Sequence, residues 1–123
     1  MTKLSLAPTR LFASCQYRFC SIVLSEQNPA PNAEKTQTSK ADLIAALKDA
    51  LAYCDRAYNA LTDTSASEMV RMGPNMSMPK LGVLTINNLH NTPHYGNLIT
   101  YLRMNNIVPP SSEPGFAPQP PKQ

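Results

Sequence analysis

Leu43, Leu47, Leu51, Cys54, Tyr58 and Leu61 recur at steps of three and four, the spacing that gathers side chains on one face of an α-helix. Ala46, Ala50 and Ala57 raise helix propensity along the same stretch and permit close packing. Ser39 precedes it, with Asp42 three positions on. This is a capping-box pattern: the Ser oxygen accepts a free N–H and the carboxylate sits at the positive end of the helix dipole. A helix is therefore predicted from Ser39 to about Leu61. Leu11, Cys15, Phe19 and Ile22, with Phe12 and Val23 widening the stripe, predict another over 9–25, with Pro8 near its first turn. A third, long helix is predicted from Lys80 to Asn105 by Leu81, Leu84, Leu89, Tyr95, Leu98, Ile99, Tyr101 and Leu102. Pro93 interrupts it, removing one hydrogen bond and crowding the carbonyl of Leu89 at a cost of about 3 kcal/mol, and so predicts a kink or break. Asn105-Asn106 supplies a stop, because Asn tolerates the left-handed cap conformation.

The segments between are polar or broken. Asn28-Pro29-Ala30-Pro31-Asn32 predicts a loop over 26–38. Ser65-Ala66-Ser67-Glu68 is a second capping-type signal and predicts a short helix over 66–71, ended by Gly73-Pro74. Met69, Met72, Met76 and Met78 cluster there as flexible filler against a core. Six of the last 15 residues are proline, which predicts an extended, largely disordered tail. No segment alternates with period two for long enough to suggest a sheet. The expected architecture is all-α: one helical domain over 9–108, with three main helices and a short fourth, followed by a Pro-rich tail over 109–123.

Composition narrows the classes. A chain of 123 residues makes one domain at most, and 42% apolar content suffices for a core. The net charge of +3 comes from scattered Lys and Arg. A nucleic-acid binder would show a basic stripe with interleaved aromatics, so no nucleic-acid partner is expected. No stretch approaches the roughly 20 apolar residues that span a bilayer. Residues 1–25 lack the unbroken apolar run of a secretory signal, being interrupted by Pro8, Arg10 and Arg18. The three cysteines, Cys15, Cys20 and Cys54, form an odd set at uninformative spacing, which is read as free thiols in a reducing cytoplasm. Cys54, on the Leu43–Leu61 stripe, belongs to the core.

Candidate chemistry is confined to one place. His90 and His94 are the two histidines of the chain, and four residues of helix put both imidazoles on one face, about 6 Å apart at Cβ. That spacing offers two nitrogens to one transition metal. Cys15, one turn after Leu11 on the same helix face, is the candidate auxiliary ligand. Neither a Ser/His/Asp arrangement nor a glycine-rich phosphate loop accompanies them. Arg103 fits a helix C-terminus, where the dipole favours a cation.

The run His90-Asn91-Thr92-Pro93-His94-Tyr95-Gly96-Asn97-Leu98-Ile99-Thr100-Tyr101-Leu102-Arg103, followed by Ile107-Val108-Pro109-Pro110-Ser111-Ser112, resembles the end of the DinB-like family of bacterial damage-inducible-type four-helix bundles. Ser39-Lys40-Ala41-Asp42-Leu43, Ala52-Tyr53-Cys54-Asp55 and Gln16-Tyr17-Arg18-Phe19-Cys20 are similar to one branch of that family, so the likeness covers roughly residues 11–112. The resemblance implies an up-down four-helix bundle holding a divalent metal (Zn, Ni or Fe) with three histidines, and in some relatives thiol transfer or hydrolysis on a small thiol substrate. His90 and His94 correspond to two of the ligands. The third falls on Leu11, which binds no metal, and the family's first helix has no counterpart before Thr9. Enzymatic activity is thus left open. The expectation is an incomplete bundle with a degenerate metal site. A non-catalytic remnant that forms a homodimer through an exposed apolar groove is the alternative.

Overall fold

A computed structural model describes residues 3–36 and 38–115, with side chains from Thr9 onward. Helix α1 spans Lys3–Leu24, α2 Ala33–Thr36, α3 Lys40–Asn59, α4 Asp63–Ala66 and α5 Lys80–Met104. Strands β1 (Met69–Gly73) and β2 (Met76–Pro79) lie between α4 and α5, and a 3-10 turn at Pro110–Ser112 follows. The capping box at Ser39 is present as expected: Asp42 N–H donates to Ser39 Oγ, and Ser39 N–H donates to Asp42 Oδ2. Ser25 (φ 56°) and Asn106 (φ 57°) both take the left-handed conformation. Glu26 N–H then reaches back to Ser21 O at 2.9 Å, and Ile107 N–H to Leu102 O at 2.9 Å. These six-to-one bonds close α1 and α5 and use carbonyls that a helix end otherwise leaves free.

Side-chain pairs set the directions of the helices. Tyr17 packs on Tyr53, Cys20 bonds Cys54, and Glu26 pairs with Arg56 at 2.6 Å, so α1 and α3 advance together and run parallel. The chain therefore does not alternate up and down at this step, because the 25–39 connection, with α2 packed on α1, carries it back. Gln16 meets Asn91 while Cys20 lies against Asn87, so later residues of α1 face earlier residues of α5 and the two helices run antiparallel. The core lies where the three long helices meet: Phe19, Cys20 and Val23 from α1, Cys54 and Ala57 from α3, Val83 and Leu84 from α5.

Three expectations are corrected. The short helix over 66–71 is absent. Thr62 instead caps α4, and residues 69–79 form an antiparallel hairpin with Val70 opposite Met78 and Arg71 opposite Ser77. Val70 and Met72 pack on the core while Met69 and Arg71 face outward, a period-two pattern only two cycles long and hence below the length that announces a strand. Met72 and Met78 fill space beside the core, whereas Met69 and Met76 are exposed. Second, Cys20 and Cys54 form a disulfide, and Cys15 is the free cysteine among the described residues. Parallel packing brings their Cα atoms to 5.2 Å, within bonding range, and sequence spacing cannot reveal such a tertiary approach. Third, of the kink or break expected at Pro93, the break is absent: α5 continues through it as one helix. Pro93 is exposed, so the Leu89 carbonyl it deprives of a partner lies on the water side of the helix. Helix α1 also begins at Lys3, six residues before the predicted start, which places Pro8 within it. Of the Pro-rich tail, Pro109 is buried and Arg103 donates to Ser112 Oγ at 3.3 Å, while residues 116–123 lie outside the described residues.

Leu84 is fully buried and Leu81 half-exposed on the same helix. Leu84→Ala is expected to cost about 2–5 kcal/mol in denaturant unfolding, and Leu81→Ala no more than about 0.5 kcal/mol. Alkylation under denaturing, non-reducing conditions is expected to capture one thiol per chain, and three after reduction; three before reduction would refute the Cys20–Cys54 bond.

Candidate metal centre

Helix α5 presents its inward face to α1 and α3 through Val83, Leu84, Asn87 and Asn91. Asn87 and Gln16 are each about 1% exposed, so their carboxamides must find partners inside the protein. Asn87 Nδ2 donates to Gln16 Oε1 at 3.0 Å and to Tyr58 Oη at 3.3 Å, with the disulfide sulfurs of Cys20 and Cys54 each 3.9 Å away. Gln16 Nε2 donates to Asn91 Oδ1 at 2.6 Å, and Tyr58 Oη donates to Asn88 Oδ1 at 2.9 Å. Asn87 Oδ1 is left without a partner. This polar layer, which the sequence analysis did not single out, fixes how α1 slides against α5. Its only sequence signal is Gln16 and Asn87 lying in phase with apolar neighbours on their helices.

One turn beyond Asn87, the two histidines come together. His90 Nε2 and His94 Nε2 are 3.1 Å apart, with ring centroids 4.7 Å apart and planes at 70°. Phe19 of α1 also meets the His90 ring, with centroids 5.8 Å apart in a T-shaped arrangement. By the same register, His94 falls opposite the part of α1 around residues 9–15. Leu11 lies in that part and is 39% exposed. Cys15 lies there too, half-buried against the core. Burial pushes its thiol above the ordinary range, with Arg18 opposing that rise and Glu34 adding to it. A thiol raised in this way is a poor thiolate ligand at neutral pH.

The pair meets one requirement of a metal site and fails two. Two nitrogens 3.1 Å apart both lie within a normal Zn–N bond length, 2.0–2.1 Å, of one common point, where they subtend roughly 100°. Among the described residues, however, no group of three or more His, Cys, Asp or Glu side chains comes together. The remaining residues contain none of those four types. His94 Nδ1 is also buried without a partner. A metal-binding imidazole ordinarily donates that second N–H to an oxygen, which locks the ring and raises its basicity. Without a metal, one ring donates Nε2–H to the Nε2 of the other, so a single proton is shared between the two facing nitrogens.

No family model matches the chain, and no curated protein or solved structure matches it either.

Burial of the ring and repulsion from His90 lower the His94 pKa below the ordinary 6.5. The folded state therefore favours the neutral ring. Its stabilising contribution is complete above pH 6.5 and is lost as pH falls from there toward the folded value. Melting temperature is expected to decline on the acid side of that pH, less steeply in His94→Gln. NMR titration of His94 at or above the ordinary value would contradict this.

Proposed function

We propose that this protein is a divalent-metal-binding helical bundle of DinB-like type whose site retains two of three imidazoles, His90 and His94. The observation that carries the reading is the convergence of the two Nε2 atoms at 3.1 Å. Helical spacing alone allows many ring orientations; here the two Nε2 atoms come within 3.1 Å of each other. The neutral ring of His94 at physiological pH supports it further, since only neutral imidazole binds metal. Zn²⁺, Ni²⁺ and Fe²⁺ all suit nitrogen ligands. When bound, such an ion would act as a Lewis acid toward a thiol or water.

Within this reading, the chain's own groups bind rather than catalyse. Two protein ligands leave the ion held loosely, and the unpaired His94 Nδ1 leaves one ring free of the anchoring a rigid catalytic site needs. A thiol substrate of the kind taken by some relatives would have to reach an ion that two imidazoles position poorly. Independent turnover therefore forms no part of the proposal. No helix among the described residues is long and apolar enough to cross a membrane. Disulfides persist in oxidising compartments, so the Cys20–Cys54 bond favours such a compartment over the reducing cytoplasm.

Calorimetric titration with Zn²⁺ and Ni²⁺ at neutral pH tests the site. Binding is expected to vanish in His90→Ala and in His94→Ala. It is expected to tighten by about 10–100-fold in Leu11→His, the range over which groups that complete or orient a metal site act. Unchanged affinity in His90→Ala would end the proposal.

A further inference from the structure

Helix α5 has a second unusual property. Between Lys80 and Arg103 it carries no Asp, Glu, Lys or Arg. The inward face accounts for part of that neutrality, but Leu89 is 66% exposed, and Thr92, Pro93, Tyr95, Gly96 and Asn97 are also exposed. A solvent-facing helix surface is ordinarily charged, and depletion of charge is the compositional mark of an interface centre. The same helix is not apolar enough to lie across a bilayer, which removes a membrane core as the occupant.

Leu89, His90, Pro93, His94 and Asn97 follow one another at alternating steps of one and three. They make a narrow seam along α5 beside the contacts that α1 and α3 already occupy. A second copy laid antiparallel across a seam without formal charge meets no like charge. With its two-fold axis between His90 and His94, such a pair would bring four imidazoles to one point. The chain alone offers an ion two nitrogens and no third donor; four nitrogens close the tetrahedral shell that Zn²⁺ prefers.

We propose that two copies of this chain bind one Zn²⁺ between antiparallel α5 helices, with His90 and His94 of each copy as its four ligands. The inference rests on the metal-pair reading above and names the partner that completes it. Coordination uses neutral rings, so the two protons shared between facing nitrogens relocate to Nδ1 and no net redox change occurs. The apolar seam supplies contact area, and the ion supplies register and specificity.

The test is light scattering and sedimentation of the full chain with and without Zn²⁺, alongside calorimetric stoichiometry. The expected result is a doubling of mass on adding Zn²⁺, one ion per two chains, reversal by chelator, and loss of both in His94→Ala. Leu89→Glu keeps both histidines and changes only an exposed position, so its fold is expected to survive, as circular dichroism will check. It places like charges across the seam and is expected to weaken Zn²⁺-driven pairing at least tenfold. One ion per monomer with no change of mass would overturn the bridged pair while leaving the metal-pair reading intact. No Zn²⁺ binding would overturn both. A dimer that forms without Zn²⁺ and persists in His94→Ala would overturn the bridging role.

Discussion

Gln16 and Asn87 sit almost wholly out of solvent at the contact between α1 and α5, and each carboxamide is satisfied chiefly by the other and by its immediate neighbours. An apolar interface tolerates sliding, because one leucine replaces another at small cost. A buried amide pair does not. A shift of one helical turn would strand both amides, at about 1–3 kcal/mol for each unsatisfied group. This one register decides that Phe19 lies against His90, that His94 faces the stretch of α1 around Leu11 and Cys15, and that Tyr58 reaches α5 from α3. The disulfide locks the other pair, α1 to α3, beside the same polar layer. The orphaned Asn87 Oδ1 shows that the layer is not ideal as a polar network. Its role is to choose one alignment among several that the apolar residues would accept.

From that alignment the molecule is well filled at one end and sparsely filled at the other. The hairpin packs Val70, Met72 and Met78 against the core cluster, which draws on Phe19, Cys20 and Val23 of α1 and Val83 and Leu84 near the start of α5. Farther along α5, no residue beyond Asn87 is buried in the helix itself, and Met104 is 74% exposed. The histidines stand at the boundary between these regions. That position explains their mixed character: buried enough for the His94 pKa to drop and for Nδ1 to lose water, yet bordered by exposed Leu89 and Pro93.

The main helices were legible because their signals are local and repeated. Ser39 and Asp42 form a cap wherever the rest of the chain goes, and the Leu43–Leu61 stripe marks the helix, although its buried line runs through Leu43, Ala50, Cys54 and Ala57 and leaves Leu51 and Tyr58 exposed. The hairpin was not legible because Val70 and Met72 make only two alternations, and Ser65-Ala66-Ser67-Glu68 mimics a helix start that Thr62 in fact provides. The Cys20–Cys54 bond and the parallel course of α1 and α3 depend on a crossover whose direction nothing in 25–39 encodes locally. Pro93 misled for a different reason. The rule that proline breaks helices assumes the freed carbonyl is costly, and on an exposed face water takes it. For the site, the i, i+4 spacing of His90 and His94 named the pair, but not the rotamers that bring the two Nε2 atoms within 3.1 Å. Gln16 and Asn87 were passed over because a polar residue in phase with an apolar stripe reads as an edge position until its burial is known.

The two deficits of α5 are best considered together. A helix face without charge is a weak liability by itself, since scattered exposed apolar groups are ordinary. Two convergent imidazoles are also a weak site by themselves, as the shared proton satisfies them adequately in the absence of an ion. Each weakness concerns the same stretch, residues 89–97, and each would be relieved by the same event, because a ligand that binds only the assembled form stabilises it in proportion to the logarithm of its concentration over its dissociation constant. A helix face left partly uncovered and a histidine pair with no third His, Cys, Asp or Glu beside it among the described residues are then a single physical situation.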